Sequence, residues 1–72
     1  MMWKLYKWNG QYIQGDFISK HKSEDAAIKR AAKEIKFTFA DKVEKDKEIL
    51  IWLDDKDHTP MGVIVKKSKG VI

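Results

Sequence analysis

Ser23-Glu24-Asp25-Ala26-Ala27-Ile28-Lys29-Arg30-Ala31-Ala32-Lys33-Glu34-Ile35-Lys36 is the stretch whose reading decides the fold. Ala27, Ile28, Ala31, Ala32 and Ile35 recur at spacings of three and four, which gathers them on one face of a helix. Ser23 suits the helix start, where its hydroxyl can accept from an otherwise unpaired backbone N–H. Glu24 and Asp25 complement the positive end of the helix dipole. The stripe is mostly alanine, so the helix can sit close to a sheet, and the sheet must supply the bulk.

Working outward, both flanks read as strands. On the N-terminal side, residues 2–8 and 11–18 form a hairpin around Asn9-Gly10, the strongest short signal for a two-residue type I′ turn. That register sets Tyr6 opposite Ile13, Lys4 opposite Gly15 and Met2 opposite Phe17. One face then carries Met2, Tyr6, Trp8, Ile13 and Phe17 and is the better core candidate. The other carries Trp3, Leu5, Tyr12 and Ile18. A bulge at Gly15 would exchange the faces beyond it. Residues 19–22 read as a polar link.

On the C-terminal side, residues 48–54 are β-branched, apolar and short, the clearest strand in the chain. A polar turn follows, and residues 61–67 return as a strand. Between helix and strand, residues 37–47 read as the helix ending near Lys36–Phe39 and then an irregular charged connection. The expected class is α+β: an antiparallel sheet in β-β-α-β-β order with one helix packed on one face. A single domain spans 1–72, with 68–72 as a frayed tail. Ile28, Ala31 and Ile35 are expected to pack on Tyr6, Ile13, Ile51 and Val63. The element order resembles that of many small accessory proteins of phages and mobile elements, with no shared motif from which to carry over a residue's role.

Composition limits function. Seventy-two residues without cysteine leave no disulfide, thiolate nucleophile or Cys-ligated metal. The longest apolar run, Ile49 to Leu53, falls far short of the ~18 residues of a membrane span. Lysines interrupt the first residues where a signal peptide needs an apolar core. The expectation is a soluble, cytoplasmic protein.

The formal charge is +4, from 15 basic and 11 acidic residues, and every basic residue except Arg30 is lysine. Lysine gives point charges suited to phosphate, whereas base-specific readout favours arginine. Lys29, Arg30, Lys33, Lys36, Lys66, Lys67 and Lys69 are the candidate nucleic-acid contacts.

Asp54-Asp55-Lys56-Asp57-His58 is the one cluster resembling a metal or acid–base site. Counted as an EF-hand from Asp55, it places Pro60 where the turn needs Gly and Lys66 where the loop needs Glu. Its aspartates are better explained as turn residues bonding their own backbone. No Gly-rich phosphate loop and no nucleophile elbow is present. A non-enzymatic protein without cofactor, metal or small-molecule substrate is expected.

The informative oddity is apolar residues on both faces of the expected sheet. One helix covers one face. Trp3, Leu5, Tyr12 and Trp52 are left for the other, as an interface with a protein partner or a second copy. Alternatively, residues 37–47 fold back and fill it with Phe37, Phe39 and Val43. The function expected is therefore a small basic binding module acting by protein contact or self-association. The alternative is weak, sequence-nonspecific nucleic-acid binding through the lysines.

Overall fold

The computed structural model describes residues 2–11 and 15–67. It contains β1 (Trp3–Lys7), β2 (Asp16–His21), α1 (Glu24–Glu34), β3 (Phe39–Lys45), β4 (Glu48–Asp54) and β5 (Pro60–Lys67). The strands form one antiparallel sheet in the order β2-β1-β5-β4-β3. The α+β class and its β-β-α-β-β elements are present, and residues 37–47 contribute a fifth strand, β3.

The helix begins as its sequence dictates. Ser23 is the N-cap, and its Oγ accepts from Ala26 N–H at 3.1 Å. At the other end the Ile35 N–H still donates to the Ala31 carbonyl, while Ile35 itself is extended. Ala27, Ala31 and Ile35 are buried against Trp3, Leu5, Ile51, Leu53 and Ile64. Small helix residues thus meet large sheet residues.

The structure corrects the assignment of faces in the N-terminal half. The helix covers Trp3 and Leu5, whereas Tyr6, Val63 and Phe17 lie on the opposite side. The reason is the loop. β1 and β2 pair from Lys7↔Asp16 down to Trp3↔His21, which is not the register that a two-residue turn at Asn9-Gly10 would set. Trp8 N–H donates to the Met61 carbonyl at 3.0 Å, tying it to β5 instead of closing a hairpin. Gly10 has a positive φ and Asn9 does not, whereas a type I′ turn needs it at both central residues. Residues 19–21, expected as a link, are the end of β2. A register shift between Leu5 and Tyr6 further uncouples the β1–β2 faces. Tyrosine also loses less on an open face, where its hydroxyl stays wet. Tyr12, Ile13, Lys69 and the tail at 68–72 lie outside the described residues.

Segment 37–47 neither stays irregular nor folds over the sheet. Residues 39–45 pair in full register with β4, from Phe39↔Asp54 to Lys45↔Glu48. Asp46 and Lys47 make a two-residue loop, with Asp46 at φ 39°. β3 is an edge strand, and its charge is what a soluble sheet edge tolerates. Lys42 Nζ bonds Glu24 Oε1 of the first helical turn at 2.9 Å, linking the helix to this edge. That carboxylate holds the Lys42 ammonium above its ordinary pKa through a hydrogen bond and charge attraction. Phe37 packs with the helix-side core.

Candidate functional site

The side of the sheet away from α1 is built by strand alternation. Register pairs place Lys20, Lys4, Val65, Leu50 and Val43 in one row across the five strands. Phe17, Tyr6, Val63, Trp52 and Asp41 form the next. No element crosses these rows among the described residues.

The centre of this face is apolar and closely packed. Val63 and Val65, on the central strand, are only 1% and 4% exposed. They are short side chains flanked by the taller Tyr6, Leu50 and Trp52. Tyr6 and Phe17 meet edge to face, with centroids 5.7 Å apart. Phe17 is the most open of the large apolar residues, at 54% exposure. Met2, Lys4, Tyr6, Val65 and Lys67 line a groove of about 300 Å³ along one end of the face.

The charges on this face are mixed, with the exposed Lys67 on the central strand beside Glu48. The β1–β2 side carries Lys4 and Lys20. The β3–β4 side carries Asp41, Asp54 and Glu48, with Lys45 at the outer corner. Asp54 is buried, and its Oδ1 has no hydrogen-bond partner. Burial pushes its carboxyl above the usual carboxylate range, and the charge and hydrogen bond of Asp41 push it the same way. His58 opposes the shift and Asp55 adds to it. The His58 ring is stacked on Phe39, with centroids 4.3 Å apart.

The acidic turn is a backbone device. Asp55 Oδ1 accepts from Asp57 N–H at 2.8 Å and Thr59 N–H at 2.9 Å, and the turn leaves His58 at φ 63°. Among the described residues, no group of three or more His, Asp or Glu is placed to hold a metal ion. A shallow depression of about 530 Å³ lies beside this turn, lined by Ala32, Ile35 and Lys36 among others. Ser19 Oγ and His21 Nε2 lie 2.8 Å apart on β2.

Of the four residues expected at an interface, Trp52 alone lies on the open face among those described. Trp3 and Leu5 are 7% and 0% exposed in the helix-side core, and the Lys66 ammonium caps the Trp3 ring at 5.0 Å. Buried under α1, they are not available to a partner. Tyr6, Phe17, Leu50, Val43 and Phe39 belong to the open face and were not among the four residues expected at an interface. The signal that finds them is the pairing of β1 with β5, which needs the N- and C-terminal strands to be adjacent.

The basic candidates do not converge. Lys29 pairs with Asp25 at 3.4 Å and Arg30 with Glu34 at 2.9 Å, both within the helix. Lys33 and Lys36 are exposed on or just beyond α1. Lys66 and Lys67 alternate on β5, so they point to opposite sides of the sheet. Among the described residues, no helix is long and apolar enough to cross a membrane. Neither the family models, the curated proteins nor the solved structures contain a match to this chain.

Proposed function

We propose that this protein is a small non-enzymatic binding module that works through protein contact on the open sheet face centred on Phe17, Tyr6 and Trp52. The observation that carries the reading is the row of Phe17, Tyr6 and Trp52 on the side of the sheet away from α1, with no element over it among the described residues. Such patches are uncommon on monomers and tend to mark contacts. Trp and Tyr are the residues that most often dominate binding energy when an interface closes over them. Nucleic-acid binding has weaker support, because its lysines divide between the helix and the two sides of the sheet. If it occurs, its affinity must fall steeply with salt.

Site-specific photocrosslinking tests the reading. A benzophenone amino acid replaces Phe17 on the open face or Lys33 on the helix, and the protein is irradiated in its native cell. Protein adducts from position 17 and not from 33 are expected. Adducts from position 33 alone, or none from 17, would overturn it.

A further inference from the structure

We infer that the groove at the β1–β5 end of the open face takes an acidic segment of a partner protein. An apolar side chain of that segment seats between Met2 and Tyr6, and its carboxylates meet Lys4, Lys20 and Lys67. The inference rests on the reading that this face is a protein contact surface, and it names the chemistry of the partner. Three observations carry it together.

The first is the cavity. The groove holds about 300 Å³ and is lined by Met2, Lys4, Tyr6, Val65 and Lys67. Val65 is buried within the chain and closes the floor, so the apolar contact on offer comes from the half-buried Met2 and Tyr6. This volume lies at the small end of ligand sites. It accommodates one anchoring side chain rather than a folded surface.

The second is charge. Lys4 stands directly opposite Lys20 on β2, and Lys67 is two residues along β5 from Val65, which pairs with Lys4. All three lysines are exposed, and none forms an ion pair among the described residues. Like charges directly opposed across strands are destabilising. Glu48 sits beside Lys67, with Lys45 beyond it on β3. The two rows at this end therefore hold four lysines, Lys4, Lys20, Lys45 and Lys67, against the one carboxylate of Glu48. Carboxylates from a partner relieve the Lys4–Lys20 repulsion and accept charge-assisted hydrogen bonds. An apolar groove with a cationic rim is complementary to an anion that carries an apolar group.

The third observation separates an acidic peptide from a nucleic acid. The row of Phe17, Tyr6 and Trp52 ends on Asp41, and the buried Asp54 lies close to Asp41. A phosphate chain following the aromatic side chains would run away from the lysines and onto carboxylates. A short acidic segment that stops at the groove avoids both aspartates.

Nuclear magnetic resonance titration of the nitrogen-labelled protein with a short peptide of alternating glutamate and leucine tests this. Its lysine–leucine counterpart and a short oligothymidylate are titrated in parallel. The glutamate–leucine peptide should move the amides of Lys4, Tyr6, Val65 and Lys67 and leave Ala27 and Lys33 in place. Lys4→Glu should weaken its binding at least about fivefold, as should raised salt, whereas Lys33→Glu on the helix should leave it unchanged. Lys4→Glu forms an attractive pair with Lys20, so the fold tolerates it, and circular dichroism checks this. No shifts at millimolar peptide, equal binding of the lysine–leucine peptide, or equal weakening by Lys33→Glu would overturn the acidic partner. Oligothymidylate that binds the same amides more tightly than the peptide would overturn it in favour of nucleic acid. Protein adducts from position 17 beside any of these results would leave the wider reading standing, and their absence would remove both.

Discussion

Ile35 occupies the space that a side chain on Gly62 would need. A Cβ built on Gly62 would lie 2.6 Å from Ile35 Cδ1 and 2.7 Å from the Tyr6 carbonyl oxygen. The end of the helix is thus keyed into the central strand, and the helix-side core depends on glycine there. Gly62→Ala should lose about 1–3 kcal/mol to overpacking, read from urea denaturation. Adding Ile35→Val should recover only part of it, because the backbone carbonyl cannot move aside. A midpoint equal to wild type would mean that the helix does not seat at Gly62.

Ala31 and Ala32 are adjacent and face opposite ways. Ala31 is fully buried while Ala32 is exposed. Ala31→Arg should cost about 3 kcal/mol or more, as an unpaired charge forced into the core, and Ala32→Arg should stay within about 0.5 kcal/mol. Thermal unfolding of the pair measures the difference. Equal effects would contradict the orientation of α1.

Ser23 closes the first turn of α1 through its hydroxyl. Ser23→Ala should cost about 1 kcal/mol, and Ser23→Asp should retain most of the stability. Chemical denaturation of both variants checks this.

Asp54 makes stability depend on pH in a defined direction. Its folded pKa is raised above the ordinary value of 3.8 by burial first, then by Asp41, with Asp55 adding and His58 opposing. Between the ordinary value and the raised one, the folded state binds more protons than the unfolded state. This group's contribution is therefore fully favourable below the ordinary value and is lost as pH rises through the folded pKa. Asp54→Asn should raise Tm at neutral pH and have its smallest effect in acid. A difference between variant and wild type that stays constant from pH 3 to 8 would contradict this account of Asp54.

How much of this was legible in the sequence depended on whether local pattern or long-range pairing decided the outcome. Ser23, the alanine stripe and the run at 48–54 are local signals, and helix and strand formed where they pointed. The two faces of β1 were not legible. Trp3 and Leu5 alternate with Lys4 and Tyr6, so both faces carry large side chains, and the choice falls to the register. That register came from β5, nearly sixty residues away, and not from Asn9-Gly10. β3 was hidden by its own charge, since Asp41, Lys42, Glu44 and Lys45 read as a solvated loop. An edge strand needs few apolar residues, because one of its sides pairs with nothing. Trp52 was placed on the side away from the helix because its strand was a clear local signal. Tyr6 and Phe17 were assigned to the core because the assumed turn put them there.

The central claim is that α1 covers the Trp3 and Leu5 side of the sheet and leaves Tyr6 and Trp52 on the opposite side. Proton–nitrogen correlation spectra recorded with a soluble paramagnetic agent test it most directly. The account predicts that the agent broadens the Trp52 indole N–H more strongly than the Trp3 indole N–H. Equal broadening of the two, or broadening of Trp3 alone, would contradict it.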